Sequence, residues 1–198
     1  MILEQAVAFF LFAFVAAVTP GPANVLLTAT GAQAGVLRGL PCAFGVSAGM
    51  GSMMFLSAYG LGSLVLAHAP VLMAVKVCGA AFLLWLAWKV ATSGPAGEGR
   101  STEPVGFFGA AALQWVNPKA WLVSAGAVAA YLSPEGGSAA VQSAFFALVF
   151  MSAAFPSNLI WLAFGAAAQR LLGDDRRRRA FNIAMGSALA LSVAAILR

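Results

Sequence analysis

The chain has 198 residues, of which 62% are hydrophobic and only 9% are charged, and its mean hydropathy is +0.91. Soluble domains usually carry about 25% charged residues, so this composition excludes an ordinary soluble protein and indicates an integral membrane protein. The formal net charge is +5, but four basic residues form one run, Arg176–Arg179, which in a membrane protein signals orientation before it signals nucleic acid. This run is also compatible with contact to anionic lipid.

Six apolar stretches follow one another along the chain, and at about 20 residues per crossing each is predicted to be a membrane-spanning helix. Their predicted bounds are Ile2–Thr30, Leu40–Ala67, Pro70–Thr92, Val105–Leu132, Ala139–Ala168 and Ala180–Leu197. The first stretch has no basic segment before it and no clear cleavage site after it, so it is predicted to be a span and not a signal peptide. The expected fold is one all-α transmembrane domain over residues 1–198.

Two motifs interrupt these stretches at matched positions, one in the first stretch and one in the fourth. Thr19 precedes Pro20, and Asn117 precedes Pro118, which lies 98 positions after Pro20. A capping residue directly before a proline predicts a helix start, because the cap accepts a free N–H and the proline has none to leave unpaired. The alternative interpretation of each motif is a proline kink in a packed helix.

The linker-like segment Ser93–Pro104 lies at the middle of the chain and divides it into pseudo-repeats of about 1–95 and 104–198. Each half holds three stretches, and because three is odd, two similar halves must face opposite ways in the bilayer. The prediction is therefore an inverted repeat of two three-helix halves, with the first and fourth helices broken at the proline motifs. Secondary transporters of this plan bind substrate where discontinuous helices meet.

The basic residues outside the spans predict the orientation. Arg38, Lys89 with Arg100, and Arg170 with the Arg176–Arg179 run fall in the first, third and fifth loops. Lysine and arginine favour the cytoplasmic side, so the odd loops are expected in the cytoplasm and both termini outside.

The first break offers the backbone groups that suit a zwitterion. Pro20 and Pro22 free carbonyl groups of the preceding turn, and Gly21 between them tolerates unusual dihedral angles. N–H groups around Asn24 present partial positive charge, and the second break repeats this arrangement around Lys119. A carboxylate suits a helix N-terminus, and an ammonium group suits the freed carbonyls.

Lys119 is the sharpest single candidate because it lies near the middle of the fourth stretch. A charge at that depth costs at least ~2.5 kcal/mol and is functional by default, although snorkelling to the interface is an alternative. The uncharged polar candidates are Asn24, Gln114, Asn117 and Asn158. Each of them could instead be a hydrogen-bonding residue between helices.

No aspartate or glutamate lies inside a predicted span, although a proton relay or a site for a hard divalent metal would normally use one. No catalytic triad, CxxC pair or phosphate loop occurs in a credible context. We therefore expect no enzymatic activity, no cofactor, no metal site and no nucleic-acid partner. The expected partners are a small-molecule substrate and the lipid bilayer.

Small residues predict close helix packing. Gly31-x-x-x-Gly35 and Gly45-x-x-x-Gly49 have the spacing that lets helices approach closely, either within one bundle or at a dimer interface or sliding surface. Cys42 and Cys78, each in an apolar run, are predicted to be small core residues.

Several segments together resemble the LysE/RhtB family of amino-acid exporters. Thr19-Pro20-Gly21-Pro22-Ala23-Asn24 is similar to the family's TPGP signature, and Asn117-Pro118-Lys119-Ala120 is similar to its motif in the fourth helix. The segment from Lys76 through Lys89 resembles the family's third helix, with Phe82 where a tyrosine is common. Asn24 stands where relatives can carry an acid, and an asparagine cannot take up a proton.

The resemblance implies a six-helix carrier of the bacterial inner membrane, with a homodimer as its oligomer, that exports amino acids using the proton gradient. It implies a substrate site lined or shaped by Thr19, Pro20, Gly21, Pro22, Asn24, Asn117, Pro118 and Lys119, to which the polar pattern adds Gln114 and Asn158. The absence of an intramembrane acid favours neutral or small amino acids as substrates of an alternating-access exporter. The alternatives are a metal-ion exporter of the wider superfamily and a non-transporting membrane scaffold.

Overall fold

The computed structural model describes residues 3–60, 68–92, 104–132, 138–172 and 174–197, and all regular secondary structure in these residues is α-helical. The helices of this described part are α1 (Leu3–Val18), α2 (Pro22–Ala58), α3 (Ala69–Ala91), α4 (Phe107–Val116), α5 (Pro118–Tyr131), α6 (Ala139–Leu171) and α7 (Asp175–Leu197). The predicted breaks at Ser93–Pro104 and Ser133–Ser138 lie mostly outside the described residues, whereas of the break at Ala67–Pro70 only Ala67 does, and α3 starts within it at Ala69.

The first and fourth apolar stretches each form two helices. α1 ends at Val18 and α2 begins at Pro22, while α4 ends at Val116 and α5 begins at Pro118. We call the contact region of these two helix breaks the junction. The third and fifth stretches form the uninterrupted helices α3 and α6.

The predicted loop Gly31–Gly39 is wrong in its extent, because helical structure continues through it except at Gly35. Gly35 has φ +76° and ψ 177°, a conformation that glycine adopts without a steric penalty. It divides α2 into a first arm (residues 22–34) and a second arm (residues 36–58). Gly31 and Gly39, on the two sides of the bend, both approach Leu162 of α6, so the chain folds back on α6 without a loop.

The sixth stretch also differs from its predicted bounds, since α7 starts at Asp175 and includes the Arg176–Arg179 run. The Asp174 carboxylate accepts a hydrogen bond from the Arg177 backbone N–H at 2.7 Å. A capping aspartate starts a helix and its charge complements the helix N-terminus. The arginines therefore belong to a helix and not to the loop predicted at Gln169–Arg179.

In the described residues, three helices are long and apolar enough to cross a membrane by length and composition: α2, α3 and α6. α1 and α4 are shorter apolar helices. Large apolar side chains are exposed, including Trp88 at 71% and Phe108 at 84%. Such a surface suits lipid and not water. The count of six spans and their inverted repeat remain predictions.

Small residues let the helices pack backbone to backbone. A Cβ atom on Gly31 would lie 2.0 Å from the Leu162 carbonyl oxygen, and one on Gly165 would lie 1.9 Å from that of Thr28. The second arm packs on α4 in the same way, since a Cβ atom on Gly45 would lie 2.2 Å from the Phe107 oxygen. Gly31, Gly45 and Gly49 are therefore used in packing within the chain, whereas Gly35, with nothing within 4 Å of a Cβ atom, serves the bend.

Two clusters of buried apolar residues flank the junction. One includes Leu27, Leu86 and Leu113, and the other includes Phe9 and Phe150. The helix ends belong to these clusters, since Ala23 of α2 and Val116 of α4 pack in the first and Ala17 of α1 and Ala120 of α5 pack in the second, so close-packed side chains hold the breaks in place.

The two cysteines have different environments, and both are free. Cys42 is buried and accepts a hydrogen bond from the Thr30 hydroxyl at 3.7 Å, as a small core residue would. Cys78 is exposed on α3, so the prediction of a core position is wrong for this residue. An exposed face of a membrane helix is as apolar in composition as a buried one, which is why the sequence pattern did not separate the two.

Candidate functional site

Thr19 and Asn117 have the same position in their motifs but different roles. The Asn117 side-chain oxygen accepts a hydrogen bond from the Lys119 backbone N–H at 3.1 Å and caps α5. The Thr19 hydroxyl instead donates to the Val15 carbonyl oxygen at 2.6 Å, one turn back in α1. The prediction that Thr19 caps the following helix is wrong, because α2 starts at Pro22 with Gly21 as its N-cap, which leaves Thr19 two positions before the capping position.

Asn24 ties the start of α2 to the end of α1. Its side-chain Nδ2 donates to the carbonyl oxygens of Ala17 at 3.0 Å and Thr19 at 3.1 Å. Asn24 is 4% exposed, so its amide N–H groups are removed from water and are satisfied by these carbonyl oxygens. The indole N–H of Trp161 on α6 donates to the next carbonyl, that of Val18, at 3.3 Å.

Lys119 joins the two breaks across 100 positions of sequence. Its ammonium group donates to the carbonyl oxygen of Thr19, which also accepts the bond from Asn24. Among the residues that the structure describes, no carboxylate pairs with Lys119. Gly21 leaves room for this side chain, because a Cβ atom there would lie 2.9 Å from Lys119 Cδ and 3.3 Å from Nζ. Lys119 thus turns inward to the junction and does not snorkel.

A small cavity lies at the junction, with about 40 Å³ accessible to the centre of a water-sized sphere. One water molecule needs roughly 10–15 Å³ in this measure, so the cavity has room for a few waters and not for a whole amino acid. Its lining consists of Ala16, Ala17, Gly21, Ala23, Asn24, Val46, Met50, Gln114, Asn117, Lys119, Ala120, Val123, Phe150, Ala154 and Asn158. Most of the lining residues are apolar, and the polar ones are three asparagines, one glutamine and one lysine.

Six of the predicted site residues line this cavity, and four do not. Gly21, Asn24, Gln114, Asn117, Lys119 and Asn158 belong to its lining. The four outside the lining are Thr19, Pro20, Pro22 and Pro118, of which Pro22 and Pro118 are the first residues of α2 and α5. Thr19 contributes through its backbone carbonyl, the acceptor for Lys119.

Asn158 and Gln114 also bond within the helix bundle. Asn158 Nδ2 on α6 donates to the Ser47 hydroxyl at 2.9 Å and to the Ala43 carbonyl at 3.4 Å, both on the second arm of α2. Gln114 Nε2 donates at 3.5 Å to Ala110 in its own helix. Asn158 therefore both lines the cavity and connects α6 to α2.

The sequence interpretation missed Trp161, which holds the end of α1 from another helix. A signal was present, because Trp161 follows Asn158 by three positions and residues at this spacing share a helix face. It also missed Phe150 and Ala154, which line the cavity from the same helix, about two turns and one turn before Asn158.

Comparison with known proteins agrees with the resemblance seen in the motifs. The family model described as LysE type translocator matches residues 14–197. A relative from Escherichia coli O1:K1 / APEC, named cysteine/O-acetylserine efflux protein, is 31% identical over 171 residues, 86% of this chain and 87% of the relative. A protein of the same name from Klebsiella pneumoniae subsp. pneumoniae is 34% identical over 164 residues, 83% of each chain. No solved structure matches this chain.

Proposed function

We propose that this chain, which belongs to the LysE type translocator family, exports small neutral amino acids across the bacterial inner membrane. The curated relatives are named for efflux of cysteine and O-acetylserine and are covered over more than four fifths of their length. Both compounds are small, uncharged in the side chain and zwitterionic at the α-carbon. We infer substrates of this class for the present chain.

The observation that carries the proposal is the Lys119 contact with the Thr19 carbonyl at the junction. An ammonium group can bind the carboxylate of an amino acid, and a carbonyl oxygen can bind its ammonium group. In this structure the Lys119 ammonium group and the Thr19 carbonyl oxygen are bonded to each other. A substrate carboxylate would draw Lys119 away from Thr19, and the released carbonyl would then accept the substrate ammonium group. This exchange replaces one charged hydrogen bond by two and adds no net charge to the site.

The rest of the lining favours a short side chain without charge. Ala16, Ala17, Ala23 and Ala154 leave little bulk around the cavity, while the amides of Asn24 and Asn158 offer polar atoms. The lining contains no carboxylate to pair with the second ammonium group of lysine or with the guanidinium group of arginine. A cationic substrate side chain would therefore lie unpaired in a buried site, at a high cost in free energy.

We further propose an alternating-access cycle, with the two three-helix halves rocking about the junction. The cavity in this structure is too small for an amino acid, so binding requires the helix ends to separate. Helix breaks at matched positions in two inversely oriented halves are the plan of such carriers. Lys119 is the only ionisable side chain in the lining, which makes it the candidate to carry a coupling proton if the proton gradient drives export.

A metal-ion exporter is less well supported by the site. The cavity lining offers no carboxylate, thiol or imidazole, the groups that usually hold exported divalent metals. In the part of the chain that the structure describes, no cluster of three or more His, Cys, Asp or Glu side chains could hold a metal ion.

The substrate class is tested with purified protein in liposomes. Liposomes loaded with unlabelled O-acetylserine should accumulate external radiolabelled cysteine, serine or O-acetylserine by exchange, and should not accumulate lysine or arginine. Protein-free liposomes are the control. Equal exchange of cationic and neutral amino acids would contradict the neutral preference, and no exchange of any amino acid, with transport of a divalent metal, would contradict the exporter proposal itself.

A further inference from the structure

A second cavity, of about 570 Å³, lies where the Gly35 bend meets the end of α6 and the start of α7. Three arginines from three segments line it: Arg38 after the bend, Arg170 on α6 and Arg178 on α7. Gly35 follows the start of α2 by 13 residues, about 20 Å along a helix. No residue lines both this cavity and the one at the junction, so the two are separate sites.

The charge in this cavity has no counter-ion within it. Among the described residues, no carboxylate belongs to the lining, and the nearby Asp174 carboxylate is paired with Arg177 at 3.3 Å. The side-chain Nε of Arg178 donates to the Leu172 carbonyl at 3.1 Å, which orients its guanidinium group. Guanidinium groups match the oxygens of a phosphate group in geometry and charge, so three of them in one cavity favour a phosphate-bearing ligand.

The rim of the cavity distinguishes a lipid from a free phosphate ion. Leu37 is 81% exposed and Val36 is 36% exposed, and both line the cavity directly before Arg38. A free phosphate ion would leave this apolar edge uncovered, whereas the acyl chain of a lipid would cover it. Basic pockets between membrane helices bind anionic headgroups for this reason.

We propose that this cavity binds the phosphate headgroup of an anionic membrane lipid through Arg38, Arg170 and Arg178. Only one residue of the Arg176–Arg179 run takes part, so the site differs from a general basic surface. Its place at the Gly35 bend means that the lipid would brace the two arms of α2 against α6 and α7. A bound lipid should therefore raise the thermal stability of the protein.

The test compares two variants that lose the same charge. The protein is purified in an uncharged detergent, and its unfolding temperature is measured with added phosphatidylglycerol, phosphatidylcholine or inorganic phosphate. Arg38 and Arg170 are exposed, so R38Q/R170Q should fold. The matched control is R176Q/R179Q, which removes two exposed arginines that do not line the cavity. Single variants R38Q and R170Q replace the double variant if it unfolds without lipid.

Phosphatidylglycerol, and not phosphatidylcholine, should stabilise the unchanged protein and R176Q/R179Q. R38Q/R170Q should need about 30-fold more phosphatidylglycerol for the same effect, because two arginines near an anionic headgroup together contribute about 2 kcal/mol. Equal loss in both double variants would mean a diffuse charge effect and would overturn the proposal. Stabilisation by inorganic phosphate without any by phosphatidylglycerol would identify a free-anion site and would overturn it as well.

Discussion

Asn24 and Asn117 use opposite ends of the same side-chain amide at the two helix breaks. Asn117 accepts from a backbone N–H at the start of α5, whereas Asn24 donates to carbonyl oxygens at the end of α1. The carbonyl of Thr19 receives both Asn24 and Lys119, so its two lone pairs are occupied. The carbonyl groups of Ala17, Val18 and Thr19 at the first break therefore already have donors, and in the proposed exchange Lys119 is the donor that leaves Thr19.

Replacing Lys119 tests this exchange. We expect Lys119→Met to lower substrate affinity by about 10- to 100-fold, because a hydrogen bond to a charged group contributes about 1.5–3 kcal/mol. The folded yield should not fall, since methionine removes a half-buried charge and keeps much of the volume. The measurement is exchange of labelled cysteine in liposomes at several substrate concentrations.

Lys76→Met is the matched control, because Lys76 is also half-buried but lies on α3 outside the cavity lining. It should transport like the unchanged protein. Undiminished exchange by Lys119→Met would remove Lys119 from the binding site and would leave the proposed exporter activity standing.

At the scale of the helices, close approach of backbones holds α2 against α6. Gly31 and Gly165 each face a backbone carbonyl of the other helix, and a Cβ atom would come within 2.0 Å or less of it. Backbone atoms cannot rotate away as a flexible side chain can, so the helices themselves would have to separate. The spacing of small residues predicted tight packing in general, but only the structure shows which helix each glycine meets.

We expect Gly165→Ala to destabilise the protein by about 1–3 kcal/mol, as overpacking of a tight contact does. The measurement is the unfolding temperature of the purified protein in detergent. Gly126→Ala on α5 is the control, because a Cβ atom at Gly126 meets nothing within 4 Å and should be tolerated. A Gly165→Ala protein as stable as the unchanged one would show that α2 and α6 do not pack this closely.

At the scale of the whole molecule, the structure gathers basic residues that are far apart in sequence. Arg38 belongs to the first predicted loop, and Arg170 and Arg178 to the fifth, yet all three line one cavity. The positive-inside rule predicts that these loops share a side of the membrane, and a cavity lined by residues of both is consistent with that prediction. Their side remains a prediction, namely the cytoplasm, with both termini outside.

Cysteine labelling in intact cells tests this orientation. In a C42A/C78A background, His68→Cys should react with a membrane-impermeant maleimide added from outside, because its loop is predicted to be external. Arg179→Cys should react only after the membrane is permeabilised. The reverse pattern would invert the topology, and labelling of both sites in intact cells would show that the number of spans between them is wrong.

Local chemistry determined much of this protein from the sequence alone. Apolar composition indicated a membrane protein, and the Asn117-Pro118 pair located the start of α5, because capping and the missing proline N–H act within one turn. The Thr19-Pro20 pair indicated a break in the first stretch, but α2 starts two residues later, at Pro22. The motifs around these prolines were also sufficient to indicate the family. Lys119 was recognisable as a candidate because a lone charge in an apolar stretch is costly wherever it points.

Only the tertiary structure decided where those side chains go. Lys119 reaches the Thr19 carbonyl, and Trp161 reaches that of Val18 across 143 positions. The loop predicted at Gly31–Gly39 is reduced to one non-helical residue, Gly35, whose positive φ lets both arms of α2 pack on α6. These contacts depend on how closely distant helices approach, which is set by glycines facing backbone atoms of another helix. Residue periodicity within one segment carries no information about that partner.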